Sequence, residues 1–284
     1  MNKIKITAAV LAAITAFSSV TALAGCRQDQ SSVETTAATA DSAEKPAAAK
    51  DTTSKPEATT EFTTQKSSAD GDYFSHQEVR DSPAWVTELD AAKDAEQMIV
   101  VAGVGKSTAF ITMHEKDKDG KWQQIISTPG FIGESGLGEG VINHSITPVG
   151  TFTVRKAFGL ADDPGCQMEY TKVDDTYYWS GDSNHEFNKL VTTKDVPDLD
   201  TVNSEHIVDF DYAYQYVLDM GYNSECDPKK GYAFFFHCFR VNRPYTGGCV
   251  AVPESIMKFI MQHIKPGCKF TIDSLENFGG DIDA

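Results

Sequence analysis

Basic residues are scarce in this chain: 25 Lys and Arg stand against 41 Asp and Glu, a formal net charge of −16. Polyphosphate backbones are bound through Lys and Arg, so nucleic acid is excluded as a partner. Any attachment to an anionic surface must then be local and specific rather than driven by bulk charge. Long apolar runs are also missing. Past the N-terminal region no segment holds about 18 consecutive apolar residues, so no membrane helix is expected there. Cysteine is limited to six residues, with no Cys-x-x-Cys or mixed Cys/His spacing. No zinc site is therefore expected, and no other metal or cofactor. A phosphate-binding loop is lacking as well. Val104-Gly105-Lys106-Ser107-Thr108 has the ending of one, but the Gly required earlier is Val100, and no helical pattern follows.

Large apolar residues are nearly absent from Arg27 to about Asp72, a stretch of Thr, Ala, Ser, Lys, Asp and Glu with scattered Pro. Such a segment cannot bury enough surface to offset its ordering entropy, and reads as a disordered tether. At ~45 residues its root-mean-square span is ~35–40 Å. Ahead of it, Lys3 and Lys5 give a basic start, Ile6 to Val20 is mostly apolar, and small residues lead into Leu23-Ala24-Gly25-Cys26. That quartet resembles the lipobox of bacterial lipoproteins. The resemblance implies cleavage before Cys26, acylation of that residue, and attachment to a membrane through lipid chains rather than a helix. Ordinary secretion is the alternative. The expected organisation is a signal peptide over 1–25, a tether over 26–75, and a folded domain over 76–284 with its core at about 97–273, long enough for one sizeable core.

Strand patterns dominate that domain. Gln97 to Val104 and Ala109 to His114 are short β-branched and apolar runs, and Asp119-Gly120 marks a hairpin turn before Lys121 to Ile126. Val208, Phe210, Tyr212, Tyr214 and Tyr216 alternate with polar residues or Ala, the period of a half-covered strand. Tyr232 to Phe239 reads as a buried central strand. After Pro253, Ile256, Met257, Ile260 and Ile264 recur at helical spacing until Pro266-Gly267, and Lys269 to Asp273 reads as a last strand. The expected fold is mainly β: a curved or partly closed, sandwich- or barrel-like sheet with one or two flanking helices.

Chemistry concentrates between Phe234 and Gly267. An apolar run carries His237, a Pro-containing loop follows, and Thr246-Gly247-Gly248-Cys249 closes a turn ahead of the helix. A thiol at a glycine turn, with an imidazole on a neighbouring strand, is an arrangement that generates a thiolate nucleophile. Alone, Cys249 also fits a small buried hydrophobe. Setting Cys26 and Cys249 aside, Cys166, Cys226, Cys238 and Cys268 permit two disulfides in any of three pairings, with buried thiols as the alternative. His76, His114, His144, His185 and His263 lack motif context and read as surface or packing residues. His206, in Ser204-Glu205-His206, is a candidate lining residue of a substrate groove, though a structural role suits it better.

Thr147-Pro148-Val149-Gly150-Thr151-Phe152 is similar to the T-P-x-G-x-F motif of the L,D-transpeptidase catalytic domain family (YkuD-like domains). Thr246-Gly247-Gly248-Cys249, followed by Val250-Ala251-Val252-Pro253, resembles that family's nucleophile motif, and His237 matches its catalytic histidine. Asp162-Asp163-Pro164-Gly165, the segment from Trp179 to Asn188, and Ser204-Glu205-His206 also resemble features of an exported branch. The ordered set spans about 97–273. Two positions depart from the pattern: Gly247 stands where many members have a second His, and Ala251 where many have Arg or Asn. The spacing from His237 to Cys249 is also short.

The resemblance implies a cysteine acyltransferase of cell-wall biogenesis and cell shape. In it Cys249 attacks the third residue of a peptidoglycan stem peptide and His237 serves as base. The turn at Gly247 and Gly248 would present backbone N–H donors to the oxyanion. Thr246 would orient His237 or the turn, and Arg240 or Arg243 would hold a substrate carboxylate. Partners implied are donor and acceptor stem peptides, with carbapenem-type inhibitors as acylating agents. The location implied is the outer face of the cytoplasmic membrane or the cell wall. Hydrolysis by an L,D-carboxypeptidase and a catalytically degenerate wall-binding lipoprotein are the alternatives.

Overall fold

A computed structural model describes residues 78–141, 144–240 and 242–282. The expected signal peptide, the tether, the lipidation position Cys26 and His76 lie outside the described residues. An edge strand β1 (Arg80–Asp81) and short helices α1 (Ala84–Thr87) and α2 (Asp90–Asp94) lead into a meander of β2 (Gln97–Gly103), β3 (Thr108–Lys116) and β4 (Trp122–Phe131). β5 (Leu137–Gly138) and β6 (Thr147–Pro148) form a small parallel pair. β7 (Gly150–Thr153), β8 (Lys156–Gly159) and β9 (Tyr170–Lys172) follow. β10 (Tyr177–Trp179), β11 (Leu190–Thr192) and β12 (Glu205–His206) make a separate three-stranded sheet. The chain closes with β13 (Val217–Asp219), β14 (Phe235–Cys238), β15 (Val250–Val252), helix α3 (Glu254–His263) and β16 (Lys269–Ser274).

The principal sheet runs β7-β16-β2-β3-β4-β15-β14-β13-β8-β9, with β1 paired to β4. It is mixed and strongly curled, a half-barrel with few helices, as the strand-rich pattern leads one to expect. Met98, Ile99, Val100 and Val101 of β2 are fully buried, so this strand is covered on both faces. The Asp119-Gly120 turn forms where the sequence places it. Asp117 Oδ1 accepts the N–H groups of Asp119 and Lys121, and Gly120 takes a φ of 78°. The Gly105-Lys106 stretch is the neighbouring hairpin, with the N–H groups of Val104 and Gly105 both directed at Thr108 O. Helix α3 begins immediately after Pro253 and buries Ile256, Met257, Ile260 and Met261 against the core.

One strand expectation fails. The alternating run from Val208 to Tyr216 is a 3-10 turn over Ile207–Phe210 followed by irregular backbone, and only Val217–Asp219 enters the sheet. Several of its residues bond to each other, and the carbonyls of Ala213, Tyr214 and Gln215 accept single N–H bonds from Cys238, Leu160 and Ala161 without forming a ladder. Asp211 Oδ1 accepts the Tyr212 N–H, Gln215 Nε2 donates to Asp211 O, and Tyr214 N–H returns to Phe210 O. Local side chain–backbone bonds compete with strand pairing in this way. The cysteine framework also differs from a disulfide-bonded one: the five described cysteines are reduced thiols. Four of them face different neighbours, Cys166 the sulfur of Met261, Cys238 the carbonyl of Tyr216, Cys268 that of Lys269 and Cys226 that of Ser224.

Candidate active site

β14 and β15 pair in parallel, with Phe236 opposite Val250 and His237 opposite Ala251. Only residues 239–249 connect them, close to the shortest crossover that a parallel pair allows. Side chains alternate along each strand. Phe235 therefore lies on the face that carries Cys249, while Phe236, Cys238, Val250 and Val252 pack into the core on the other side. His237 shares the Phe235 face, opposite a residue only two positions beyond Cys249. Its ring packs edge-on against Tyr214, which in turn packs edge-on against Phe235.

The sulfur has two backbone partners. The Phe235 N–H donates to Cys249 Sγ at 3.3 Å, and the thiol donates to Ala233 O at 3.4 Å. These contacts act oppositely on the proton, since an N–H donor favours the thiolate and a carbonyl favours the thiol. His237 Nδ1 lies 2.7 Å from Cys238 O. A carbonyl only accepts, so Nδ1 carries the hydrogen and Nε2 keeps its lone pair. Burial pushes the His237 pKa down to about 4, helped by the charge of Arg240 and opposed by the bond to Cys238 O. The ring is therefore neutral at neutral pH, the state a base requires.

Threonines shape the turn ahead of Cys249. Thr246 Oγ1 donates to Cys249 O at 2.6 Å and accepts the Gly248 N–H at 3.1 Å. Of the two roles expected for Thr246 it thus serves the turn, while His237 is oriented by Cys238 O. The bond from Gly248 also corrects the oxyanion expectation: its N–H is turned onto the Thr246 hydroxyl. Gly248 is required for another reason. At a φ of +134°, a Cβ there would stand 2.6 Å from Phe234 Cε1 and 2.8 Å from Ile146 O. Gly247, beside it, is exposed. Thr147, which the sequence marked as part of a motif but not as a site residue, donates to the same Cys249 carbonyl at 3.2 Å.

Arg240 and Arg243 face each other across a bridge in the connecting loop. The Arg243 guanidinium lies 4.8 Å from the Tyr245 ring centroid, and its Nε is buried without a hydrogen-bond partner among the described residues. His206 is not brought to the thiol. Its Nε2 meets Asp175 O, its Nδ1 meets Asp209, and its ring stacks on Tyr178 at 4.4 Å. Its neighbour Glu205 comes closer to the chemistry. Glu205 Oε1 accepts the hydroxyl of Tyr214 at 2.6 Å, and burial raises the carboxyl pKa to about 7. The sequence marked Glu205 only as part of Ser204-Glu205-His206 and Tyr214 only as part of an alternating run, neither as a site residue.

The open groove suggested by the motif is instead covered. Cys249 is 9% exposed and His237 8%. Trp179 from β10, with Ile207 and Phe210 from the 3-10 turn, belongs to the same apolar cluster as Cys249. Cys249 is still the most exposed of the four buried thiols, since Cys166, Cys238 and Cys268 lie at 2%, 0% and 1%. Among the described residues no group of His, Cys, Asp and Glu is arranged to hold a metal. The chain matches no protein-family model, no curated protein and no solved structure. Its motifs and its geometry carry the functional reading.

Proposed function

We propose that this protein is a cysteine acyltransferase of peptidoglycan stem peptides, an L,D-transpeptidase with Cys249 as nucleophile and His237 as base. The observation that carries the reading is the face shared by Phe235, His237 and Cys249 at β14 and β15, which holds a neutral imidazole with Nε2 unprotonated and a thiol that accepts a backbone N–H. In the proposed reaction Nε2 takes the thiol proton and the sulfur bonds to the carbonyl carbon of the third stem residue. The bond to the terminal D-amino acid then breaks, and its nitrogen receives the proton from His237. An amine of a second stem peptide attacks the thioester, releasing the thiol and leaving a 3-3 cross-link. Water in place of the amine makes the same site an L,D-carboxypeptidase.

The unmatched Nε of Arg243 supports a carboxylate subsite on the loop joining the two strands, since a buried guanidinium donor gains most from a charged acceptor. Attachment through Cys26 would keep the domain at the outer face of the membrane, working on the wall. The cover over Cys249 favours one competing reading, a lipid-anchored wall-binding module without turnover.

Incubation with disaccharide tetrapeptide followed by intact-mass analysis separates these readings. Transpeptidation gives an acyl adduct on Cys249 and cross-linked dimer, and hydrolysis gives tripeptide alone. The enzyme reading fails if no adduct forms and if a carbapenem or iodoacetamide modifies Cys249 no faster than Cys166, Cys238 or Cys268.

A further inference from the structure

Ala233 has a φ of 58°, a left-handed conformation that the Cβ of an L-residue disfavours and that Asn or Gly adopts more readily. Its carbonyl is the one that receives the Cys249 thiol hydrogen. What holds Ala233 there is one side chain: the Ala233 N–H donates to Asn188 Oδ1 at 3.3 Å. Asn188 is only 2% exposed and is itself left-handed at 57°. Its amide is saturated. Oδ1 also accepts Trp179 Nε1 at 2.8 Å, and Nδ2 donates to Tyr222 O at 3.1 Å and Asn223 O at 2.9 Å. Its backbone is pinned as well, with N–H to Ser180 O at 2.8 Å and its carbonyl accepting from Arg155 at 3.1 Å. Every donor and acceptor of this side chain is thus committed to one orientation, and Ala233 inherits it.

We infer that Asn188 is a positioning residue for the Cys249 thiol: through left-handed Ala233 it sets the carbonyl that keeps the resting sulfur protonated and directed at the Phe235 N–H. When His237 removes the proton, the Ala233 carbonyl turns from partner to repellent while the Phe235 N–H gains a charged acceptor. The sulfur is then biased away from its resting contact. The inference rests on the reading of Cys249 as a working thiol and adds a control point to it. The titratable groups on this face are His237 on β14 and Tyr214, with Glu205 behind the Tyr214 hydroxyl, and the charge of Arg240 reaches His237.

The test is the pH dependence of iodoacetamide alkylation at Cys249, read by peptide mass in a Cys226→Ser background. Asn188→Gly keeps the left-handed backbone at no steric cost and removes only the amide. Losing the acceptor that stabilises the neutral thiol should lower the alkylation midpoint by about one pH unit. Thr271→Val removes a hydroxyl contact to Thr151 between β16 and β7, away from the cluster that holds Cys249, so it should lower the melting temperature and leave the midpoint in place. A folded Asn188→Gly protein with the wild-type midpoint overturns the inference, as does an equal shift in Thr271→Val. If Asn188→Gly does not fold, Ala233→Pro interrogates the same link from its half-buried end, because Pro has neither the N–H nor access to positive φ. It must lower the midpoint too, and an unchanged midpoint refutes the link. A wild-type protein whose Cys249 resists alkylation at every pH removes the nucleophile reading itself, a failure distinct from that of Asn188.

Discussion

The hydroxyl of Thr147 donates to the carbonyl of Cys249 at 3.2 Å, across 102 residues of sequence. The same hydroxyl accepts the Gly133 N–H at 2.8 Å, and Thr246 Oγ1 reaches the same carbonyl at 2.6 Å from within the turn. One peptide oxygen is therefore held from the sheet and from the loop together, which fixes the turn that carries the thiol. Thr147 is fully buried, so Thr147→Val leaves the Gly133 N–H and one lone pair unmatched. The expected cost is about 1–3 kcal/mol of stability, together with a fall in turnover larger than any change in KM. Thr147→Val and Thr246→Val share an acceptor and should be non-additive in a double-mutant cycle of melting data. Strict additivity would show that the two hydroxyls act independently.

The acid limb of activity should lie low. As the proposed base, His237 must be neutral, and burial holds its pKa at about 4. The proposed activity should thus persist as pH falls past 6.5 and be lost near 4. A kcat/KM profile on a stem-peptide substrate checks this, and an inflection near 6.5 would mean that the ring titrates as an exposed imidazole.

Stability carries the same signature with a definite sign. Burial lowers the pKa of His114 to about 3 and of His237 to about 4. Below the unfolded value near 6.5 the unfolded chain binds protons that the folded chain refuses, so stability is lost as pH falls from 6.5 toward 3. Glu205 works in reverse. With its pKa raised to about 7, its contribution is present below the unfolded value near 4.5 and lost as pH rises toward 7. Melting temperature should therefore rise more steeply from pH 4.5 to 6.5 in Glu205→Gln than in the wild type. Parallel curves would remove Glu205 from this balance.

Gly248→Ala should be among the most damaging single-methyl changes. Its added Cβ meets Phe234 Cε1 at 2.6 Å and Ile146 O at 2.8 Å, at a φ of +134° that suits glycine. Backbone strain alone costs about 1–3 kcal/mol. Thermal melting measures the loss, and wild-type stability would mean that the turn has another conformation open to it.

Much of the frame was legible from near-neighbour patterns. The apolar runs of β2 to β4, the Asp-Gly turn and the spacing of Ile256, Met257 and Ile260 each became the element they suggest, because local bonding and burial agree there. The run from Val208 to Tyr216 shows the limit. Its alternation is real, but Asp211 and Gln215 bond locally, and the run meets neighbouring backbone only through single carbonyl bonds at Ala213, Tyr214 and Gln215. At the site, motif spacing singled out Cys249 and His237. It marked Asn188 only as the end of a longer segment, because the role proposed for it depends on Ala233 being left-handed and lying beside it.

Sequence alone determined the strand-rich class, the acidic surface and the choice of thiol and imidazole, since those depend on composition and on patterns within a few residues. Tertiary structure decided which carbonyl meets the thiol, which hydroxyls clamp its backbone and that aromatic side chains cover it. Apart from Thr246, three residues before Cys249, these contacts join residues well separated in the chain, and closure of the sheet sets their distance.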